Sequence, residues 1–197
     1  MSIIIGLTGP TGAGKSSARL LCDELNLQHV DCDIIARKAV EKGTDGLKAV
    51  VNAFGNTVLN TDGTLNRKAL AAVAFSSKEK TELLNNTIFP FIKKMVLEET
   101  KQGKILLDAP TLFESGINSI CFKTVAVLSD TSIRLERILK RDNLTKEDAL
   151  IRMNAGKTDN FYIERANYIL YNNKTEQEFL NELKSVLIEI LQQGETL

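Results

Sequence analysis

The chain contains one phosphate-binding motif, which constrains its fold more than any other feature. Residues 9–16 read Gly-Pro-Thr-Gly-Ala-Gly-Lys-Ser and match the pattern G-x-x-x-x-G-K-[ST]. An apolar run at residues 3–7 precedes the motif and predicts a strand, and a helical pattern at residues 15–25 follows it. A strand, a glycine-rich loop and a helix in this order are typical of a P-loop, whose backbone amides surround phosphate oxygens. The sequence therefore predicts a site for a nucleoside triphosphate with magnesium.

The residues of this loop have separate expected roles. Lys15 can reach the β- and γ-phosphates, and the Ser16 hydroxyl can bind magnesium. The glycines allow the backbone to approach the phosphate oxygens closely. We expect the nucleotide to be bound by Gly9, Gly12, Ala13, Gly14, Lys15, Ser16 and Ser17.

Five short apolar runs predict strands, and helical patterns lie between them. The predicted strands cover residues 3–7, 27–30, 104–107, 124–128 and 168–171, and two of the helical patterns cover residues 131–141 and 176–192. Because parallel strands need crossover connections, this alternation predicts an α/β fold with a largely parallel sheet. Ligands are then expected at the carboxyl ends of the strands.

The predicted strands are unevenly spaced. About seventy residues separate the second strand from the third, far more than a direct crossover needs, and their pattern is mostly helical with interruptions at Phe54-Gly55, Asp62-Gly63 and Phe89-Pro90. The last two strands are separated by a polar, charged segment. We therefore expect a single domain, residues 1–197, with a helical substrate lobe at about 34–100 and a lid at about 140–165.

The composition of the chain limits which binding partners and which cellular compartment we expect. The 25 basic residues balance the 25 acidic ones, which gives no reason to expect nucleic acid or an anionic membrane as a partner. The first apolar run is too short to span a membrane and lacks the positive flank of a signal peptide. Cys22, Cys32 and Cys121 are scattered, which predicts free thiols in a reducing cytosol. His29 is the one histidine, so a site with several histidine ligands is excluded.

Acidic residues follow two of the predicted strands. Asp31 and Asp33 come directly after the second strand, and on an extended chain they would share one side. One of them could accept a proton from an attacking hydroxyl or hold a magnesium-bound water, whereas the alternative is that Asp33 caps a helix. Asp108 ends the third strand, where a Walker-B carboxylate would contact magnesium. Glu114 either serves the same neighbourhood or begins a loop.

Three arginines share one face of the helix predicted at residues 131–141. Arg134, Arg137 and Arg141 either form a solvated row or neutralise charge on a transferring phosphoryl group. Asn173-Lys-Thr-Glu176 resembles the guanine-reading Asn-Lys-x-Asp, but it ends in Glu. We interpret it as a polar entry to the last helix.

Taken together, these segments resemble the dephospho-CoA kinase family from residue 3 to about residue 173. The Asp-x-Asp-x-x-Ala-Arg and Asp-Gly-x-Leu-x-Arg segments, in this order, are more specific than the P-loop. The matching positions are residues 5–16, Asp31-Cys-Asp-Ile-Ile-Ala-Arg37, Phe54-Gly55, Asp62-Gly-Thr-Leu-Asn-Arg67, Leu70, Phe75, Asp108-Ala-Pro-Thr-Leu-Phe-Glu114, Arg134-Leu-Glu-Arg137 and Arg141-Asp142. Departures from the family pattern lie at Pro10, Phe89, Gly156 and Asn167.

The resemblance implies a three-layer P-loop kinase fold with a five-stranded parallel sheet. It implies ATP-dependent phosphorylation of the ribose 3′-hydroxyl of dephospho-CoA, the last step of coenzyme A biosynthesis. By similarity, Asp33 is the base or the group that orients the hydroxyl, Arg67 contacts the acceptor, and Arg137 and Arg141 bind ATP phosphates. Ser16 and Asp108 keep the Mg²⁺ roles given above. The expected partners are ATP and dephospho-CoA, without nucleic acid or membrane, for a cytoplasmic protein that we expect to be a monomer.

Two alternatives stay open at this point. The chain could be another nucleoside or nucleotide kinase of the same fold. It could also be a non-catalytic ATP-binding homologue, given Phe89 and Gly156. A regulatory nucleotide switch would need γ-phosphate-sensing loops, and the sequence contains no recognisable ones.

Overall fold

The computed structural model describes residues 2–196, and the chain divides into two compact units. The first unit comprises Met1–Val30 and Thr100–Leu197, and the second comprises Asp31–Glu99. Between residues 2 and 196, no helix is both long and apolar enough to cross a membrane. The division shows that one continuous segment, largely helical, is inserted between two parts that share a sheet.

The strands and helices follow the chain in alternation. The strands are β1 Ser2–Thr8, β2 Gln28–Asp31, β3 Gly103–Asp108, β4 Lys123–Leu128 and β5 Tyr168–Tyr171. The α-helices are α1 Cys32–Ala39, α2 Asp45–Phe54, α3 Arg67–Ala74, α4 Lys78–Glu99, α5 Thr131–Asp142, α6 Lys146–Asn154, α7 Asp159–Ile163 and α8 Glu176–Glu195. Short 3₁₀ helices cover Lys15–Leu21, Asn56–Val58 and Ile117–Ile120.

The predicted α/β fold with a five-stranded parallel sheet is confirmed. In the described part of the chain, the strands have the order β2-β3-β1-β4-β5. β1 pairs in parallel with β3 and β4, and its register places Leu7 opposite Asp108 and Thr8 opposite Ala126. Because β1 is central, the residues that follow it emerge between the carboxyl ends of two neighbouring strands.

Helices cover both faces of this sheet. Val125 and Val127 of β4 are buried in one cluster with Leu183 and Leu187 of α8. The intervening residues of β4 point to the opposite face, where Leu128 packs with Tyr162 of α7. The alternation of β4 therefore buries both of its faces, as expected for a strand in a covered parallel sheet.

Thr175 starts α8 by a reciprocal capping box. Its side chain accepts a hydrogen bond from the backbone of Glu178, and the Glu178 side chain accepts one from the backbone N–H of Thr175. The tetrapeptide at residues 173–176 is therefore the polar entry to α8, as predicted. Asn173 pairs with Asp130 through two hydrogen bonds of 2.8 and 2.9 Å.

Three helix predictions differ from the structure. The helix predicted at residues 15–25 is a 3₁₀ helix that ends at Leu21 and continues as turns to Asn26, whose φ is 51°. The predicted interruption at Phe89-Pro90 is absent, since α4 continues through Pro90. Pro90 is exposed, so the carbonyl that loses its helical partner lies near solvent. The helix predicted to start after Asp33 begins earlier, at Cys32.

The second unit has its own core. Val50 of α2, Leu70 of α3 and Leu84 of α4 are buried together with Val40 and Val58. The side chain of Thr44 caps α2, and the side chain of Asn66 caps α3. These caps fix where α2 and α3 begin.

Leu187→Ala is expected to destabilise the first unit. Leu187 is fully buried in the cluster between α8 and the sheet. Removal of a buried leucine side chain costs about 2–5 kcal/mol of unfolding free energy, because contacts are lost and a cavity remains. Urea unfolding followed by circular dichroism measures this change. Gln192→Ala, on the exposed side of α8, is the control and should stay within about 0.5 kcal/mol of the unaltered protein.

Candidate active site

The loop at residues 9–16 leaves β1 in close contact with β4. A Cβ atom on Gly9 would lie 2.1 Å from the carbonyl oxygen of Val127, and Gly9 has a φ of 138°. Only glycine fits this approach without displacement of the sheet. The loop is therefore anchored at the carboxyl edge of the sheet, where parallel α/β proteins bind ligands.

Lys15, Ser16 and Ser17 follow the loop at the start of the 3₁₀ helix. The Lys15 ammonium donates to the carbonyl oxygen of Gly9 at 2.8 Å, so it lies across the loop. The Ser16 side chain is exposed. The Ser17 hydroxyl donates to Glu176 at 2.6 Å, which joins this helix to the start of α8. The roles of Lys15 and Ser16 toward phosphate and magnesium stay predictions, and the Ser17 hydroxyl binds another side chain.

Asp108 ends β3 beside the strand that leads into the loop. Its Cα pairs with that of Leu7, two residues before Gly9, and its side chain is half-buried. The Ser16 hydroxyl and the Asp108 carboxylate supply oxygen donors, which suit Mg²⁺. Residues 2–196 contain no cluster of three or more metal-ligating side chains. This donor set fits an ion that takes one or two protein ligands and is otherwise bound by phosphates and water.

Arginines of α5 contact the outer side of the loop. Arg134 is 7% exposed, and its Nε donates to the carbonyl oxygen of Thr11 at 3.0 Å. Arg137 donates from Nη1 to the carbonyl oxygen of Ala13 at 3.3 Å. Loop carbonyls held outward leave the amide groups to face an anion. We expected the three arginines of α5 to be solvated or to bind phosphate. Two of them, Arg134 and Arg137, instead contact carbonyl oxygens of the loop.

Arg141, the third member of the row, has different surroundings. It is exposed, and its guanidinium binds both carboxylate oxygens of Asp142, at 2.7 and 2.8 Å. Arg152 of α6 donates to the same carboxylate at 2.7 Å. The side-chain hydrogen bond from Arg141 lowers the pKa of Asp142. Arg141 thus belongs to a charged cluster that joins α5 to α6.

Ser129 and Asn172 are site residues that sequence reasoning missed. Both are buried, and they follow β4 and β5 at the carboxyl edge of the sheet. The Asn172 side chain donates to the carbonyl oxygen of Ala13, and the Ser129 hydroxyl donates to the backbone oxygen of Asn172. The available signal was a polar residue directly after each apolar strand.

Glu114 lies in the loop after β3 with one carboxylate oxygen buried. Its Oε2 is buried and has no hydrogen-bond partner in the described part of the chain. Burial raises the pKa of Glu114, while its own backbone N–H and the charges of Lys157 and Arg165 partly oppose this shift. Glu114 is therefore a loop residue with a partly desolvated carboxylate, and its part in the magnesium neighbourhood stays a prediction.

The second unit contains a separate cavity. Its volume is about 370 Å³, and Asp33 and Arg37 of α1 and Arg67 of α3 line it. Apolar residues line the rest of it: Ala36, Val40, Leu65, Leu70, Ala71, Phe75, Leu84 and Ile88. One carboxylate and two guanidinium groups at an apolar cavity can bind a ligand that combines a hydroxyl, anionic groups and an apolar part.

Asp31, not Asp33, caps the helix that follows β2. The Asp31 carboxylate accepts hydrogen bonds from the backbone N–H groups of Asp33 at 2.8 Å and Ile34 at 3.3 Å. Asp33 belongs to the first turn of α1. The expectation that both carboxylates share one side of an extended chain is therefore wrong, because the chain is already helical at Asp33. Asp31 caps α1, and Asp33 lines the cavity.

A P-loop at the carboxyl edge of a parallel sheet, with a carboxylate at the end of the neighbouring strand, is the arrangement of P-loop proteins that bind nucleoside triphosphates. Comparison with known proteins identifies the family within this class. The family model for dephospho-CoA kinase matches residues 3–178. This chain therefore belongs to the dephospho-CoA kinase family, a family of phosphotransferases.

One curated relative and two solved structures are similar to this chain over nearly its whole length. The dephospho-CoA kinase of Listeria monocytogenes serotype 4b is 39% identical over 194 residues, which cover 93% of this chain and 97% of that protein. The crystal structure of TT1252 from Thermus thermophilus superimposes with a TM-score of 0.79 at 29% identity, and covers 95% of this chain and 97% of that one. Dephospho-CoA kinase from Campylobacter jejuni shares the fold, with a TM-score of 0.69 at 23% identity and coverage of 99% and 100%.

Glu114→Gln is expected to stabilise the protein more at neutral pH than in acid. The pKa of Glu114 is higher in the folded protein than in the unfolded chain. Between the ordinary pKa of about 4.3 and this raised value, the folded protein therefore binds more protons than the unfolded chain. Folding stability that depends on this carboxyl is therefore complete below that pH and falls as the pH rises through the folded-state value. Glutamine removes this loss. Urea unfolding of both proteins at several pH values between 4 and 8 measures the difference.

Glu136→Gln is the matched control for this measurement. Glu136 is an exposed carboxylate of α5, so the same substitution there measures how the loss of one surface carboxylate changes stability over the same pH range. A stability difference for Glu114→Gln that does not grow between acidic and neutral pH would contradict the pKa assignment.

Proposed function

We propose that the chain transfers the γ-phosphoryl group of ATP to the ribose 3′-hydroxyl of dephospho-CoA. The observation that carries this proposal is the P-loop at the edge of a parallel sheet in a chain of the dephospho-CoA kinase family. Asp33 lines a cavity with two arginines in the second unit, which supplies the chemistry that a hydroxyl acceptor with phosphate groups needs.

The donor nucleotide is bound by the first unit. The backbone N–H groups of residues 9–16, except Pro10, surround the β- and γ-phosphates, and Lys15 exchanges its contact with the Gly9 carbonyl oxygen for phosphate oxygens. Ser16 and Asp108 would hold Mg²⁺, which neutralises charge on the phosphates when it is bound. A positioned, charge-neutralised γ-phosphate is the main requirement for phosphoryl transfer, since its transition state needs little covalent assistance.

The acceptor is bound by the second unit. Arg37 and Arg67 pair with phosphate groups of dephospho-CoA, for which the forked geometry of guanidinium is suited. Asp33 accepts or orients the proton of the ribose hydroxyl, as a general base. The apolar wall of the cavity contacts the uncharged part of the ligand.

The segment at about 140–165 is the proposed lid, and α6 and α7 lie within it. Arg141 is the arginine of this segment that we propose as a phosphate ligand, since it is exposed and can exchange Asp142 for ATP. Arg137 stays a predicted ATP ligand, and its guanidinium already contacts the loop at the carbonyl oxygen of Ala13. A closed lid would exclude water and limit ATP hydrolysis.

The compartment and the assembly are also proposals. Cys22, Cys32 and Cys121 are free thiols, which agrees with the reducing cytosol that we propose. We propose a monomer, since each unit has its own buried core.

The activity itself is tested by incubation of the protein with ATP, Mg²⁺ and dephospho-CoA. We expect formation of CoA, detected as a mass increase of one phosphoryl group and absent without protein. Adenosine and AMP as acceptors test the alternative of another nucleotide kinase, and we expect at least a hundredfold lower turnover with them. ATP binding without turnover of any acceptor would instead indicate a non-catalytic homologue.

Asp33→Asn is expected to lower kcat by about a hundredfold or more, since general-base catalysis contributes about 10²–10⁴-fold. ATP affinity should stay within a fewfold, because the P-loop belongs to the other unit. Asp45→Asn, an exposed acidic residue of α2 paired with Lys48, is the control and should keep full turnover. A nearly active Asp33→Asn protein would mean that another group accepts the proton.

A further inference from the structure

Asn172 lies directly after β5, and both atoms of its side-chain amide have partners. The residue is 4% exposed. Its Nδ2 donates to the carbonyl oxygen of Ala13 at 3.0 Å, and its Oδ1 accepts from Nη2 of Arg137 at 3.1 Å. A carbonyl can only accept and a guanidinium can only donate. These two contacts therefore fix which amide atom faces which partner.

Arg137 orients Asn172 and contacts the loop with the same guanidinium. Its Nη2 also donates to the backbone oxygen of Asn172 at 3.1 Å, and its Nη1 donates to the Ser129 hydroxyl at 3.3 Å. Nη1 reaches the carbonyl oxygen of Ala13 as well, at 3.3 Å. The Ala13 oxygen thus accepts from two donors, both of them on the side of the loop where α5 and β5 lie.

The peptide between Ala13 and Gly14 needs such a restraint. Its N–H and C=O groups point in opposite directions because the peptide bond is trans. Gly14 has a φ of 88°, and glycine adopts positive and negative φ with similar ease. Gly14 alone would therefore permit this peptide plane to turn over. A turned peptide would present the carbonyl oxygen of Ala13 to the phosphates and repel them.

We propose that Asn172 is a positioning residue for ATP, whose side-chain amide, oriented by Arg137, holds the Ala13–Gly14 peptide with its carbonyl outward and its N–H toward the phosphates. The inference rests on the proposed function only in taking a triphosphate as the ligand of residues 9–16. Asn172 acts through the loop, since its side chain is buried and its amide faces Ala13 and Arg137.

Two substitutions at this position separate the donor from its surroundings. Asn172→Leu has nearly the same shape but neither donates nor carries charge. Asn172→Asp still accepts from Arg137 but cannot donate to Ala13. In both variants we expect the Kd for MgATP, measured by isothermal titration calorimetry, to rise at least tenfold. The Kd for magnesium tripolyphosphate should rise as well, by a factor within about threefold of that for MgATP. The reason is that the lost contact restrains the part of the loop that binds phosphates, which both ligands share.

Asn167→Asp is the matched control, at the other end of β5. The Oδ1 of Asn167 accepts from the backbone N–H and the hydroxyl of Thr124, at 2.9 and 3.1 Å. A carboxylate keeps both contacts, so this variant adds the same charge without losing a donor to the loop. We expect its Kd for MgATP to stay within twofold of the unaltered protein. Circular dichroism and thermal melting of every variant show that it is folded before binding is measured.

Three outcomes would overturn the inference or the proposal beneath it. Unchanged ATP affinity in both Asn172 variants would show that the loop needs no restraint from this side chain. Weakened binding in Asn172→Asp alone would assign the effect to charge instead of the donor, and would equally overturn the inference. Failure of the unaltered protein to bind ATP would overturn the proposed function instead. If Asn172→Leu does not fold, Asn172→Ser, which is uncharged and too short to reach Ala13, replaces it in the comparison.

Discussion

The parallel pairing of β1 with β3 and β4 determines where a phosphate can bind in the first unit. The register brings Leu7 level with Asp108 and Thr8 level with Ala126, so these strands end close together. Gly9 then leaves β1 so close to β4 that a side chain would collide with the backbone of Val127. The loop is thus fixed to the sheet at its first residue, and Asp108 is placed beside the chain that enters it. The rest of the donor site is built on this fixed point.

The other end of the loop is held by side chains instead of by the sheet. Arg134 holds the carbonyl of Thr11, and Arg137 and Asn172 hold that of Ala13. Because the net charge of the chain is zero, attraction of an anion has to come from local groups. The guanidinium groups of Arg134 and Arg137 supply positive charge beside the loop, and their hydrogen bonds fix the direction of two loop carbonyls. One set of contacts therefore supports both the shape and the charge of the site.

Much of this arrangement could be predicted from the sequence, because its signals are local. Each strand is a short apolar run, and the glycines and the lysine of the P-loop motif all lie within residues 9–16. The predictions of helix ends were wrong where two local sequence signals compete. Pro90 normally ends a helix, but its exposed position lets α4 continue. Asp31 and Asp33 both precede a helical pattern, and only the backbone shows that Asp31 is the cap.

The residues that restrain the loop could not be predicted, because their contacts join distant parts of the chain. Asn172 contacts a residue 159 positions earlier, and Arg134 contacts one 123 positions earlier. Helical spacing placed three arginines on one face of α5 but did not indicate what that face meets. The structure shows that its first part meets the P-loop, whereas Arg141, in the last turn, reaches solvent and Asp142. A motif predicts the groups that contact a phosphate. The groups that orient the loop are distant in sequence, and they are recognised by the hydrogen bonds that they donate to the loop carbonyls.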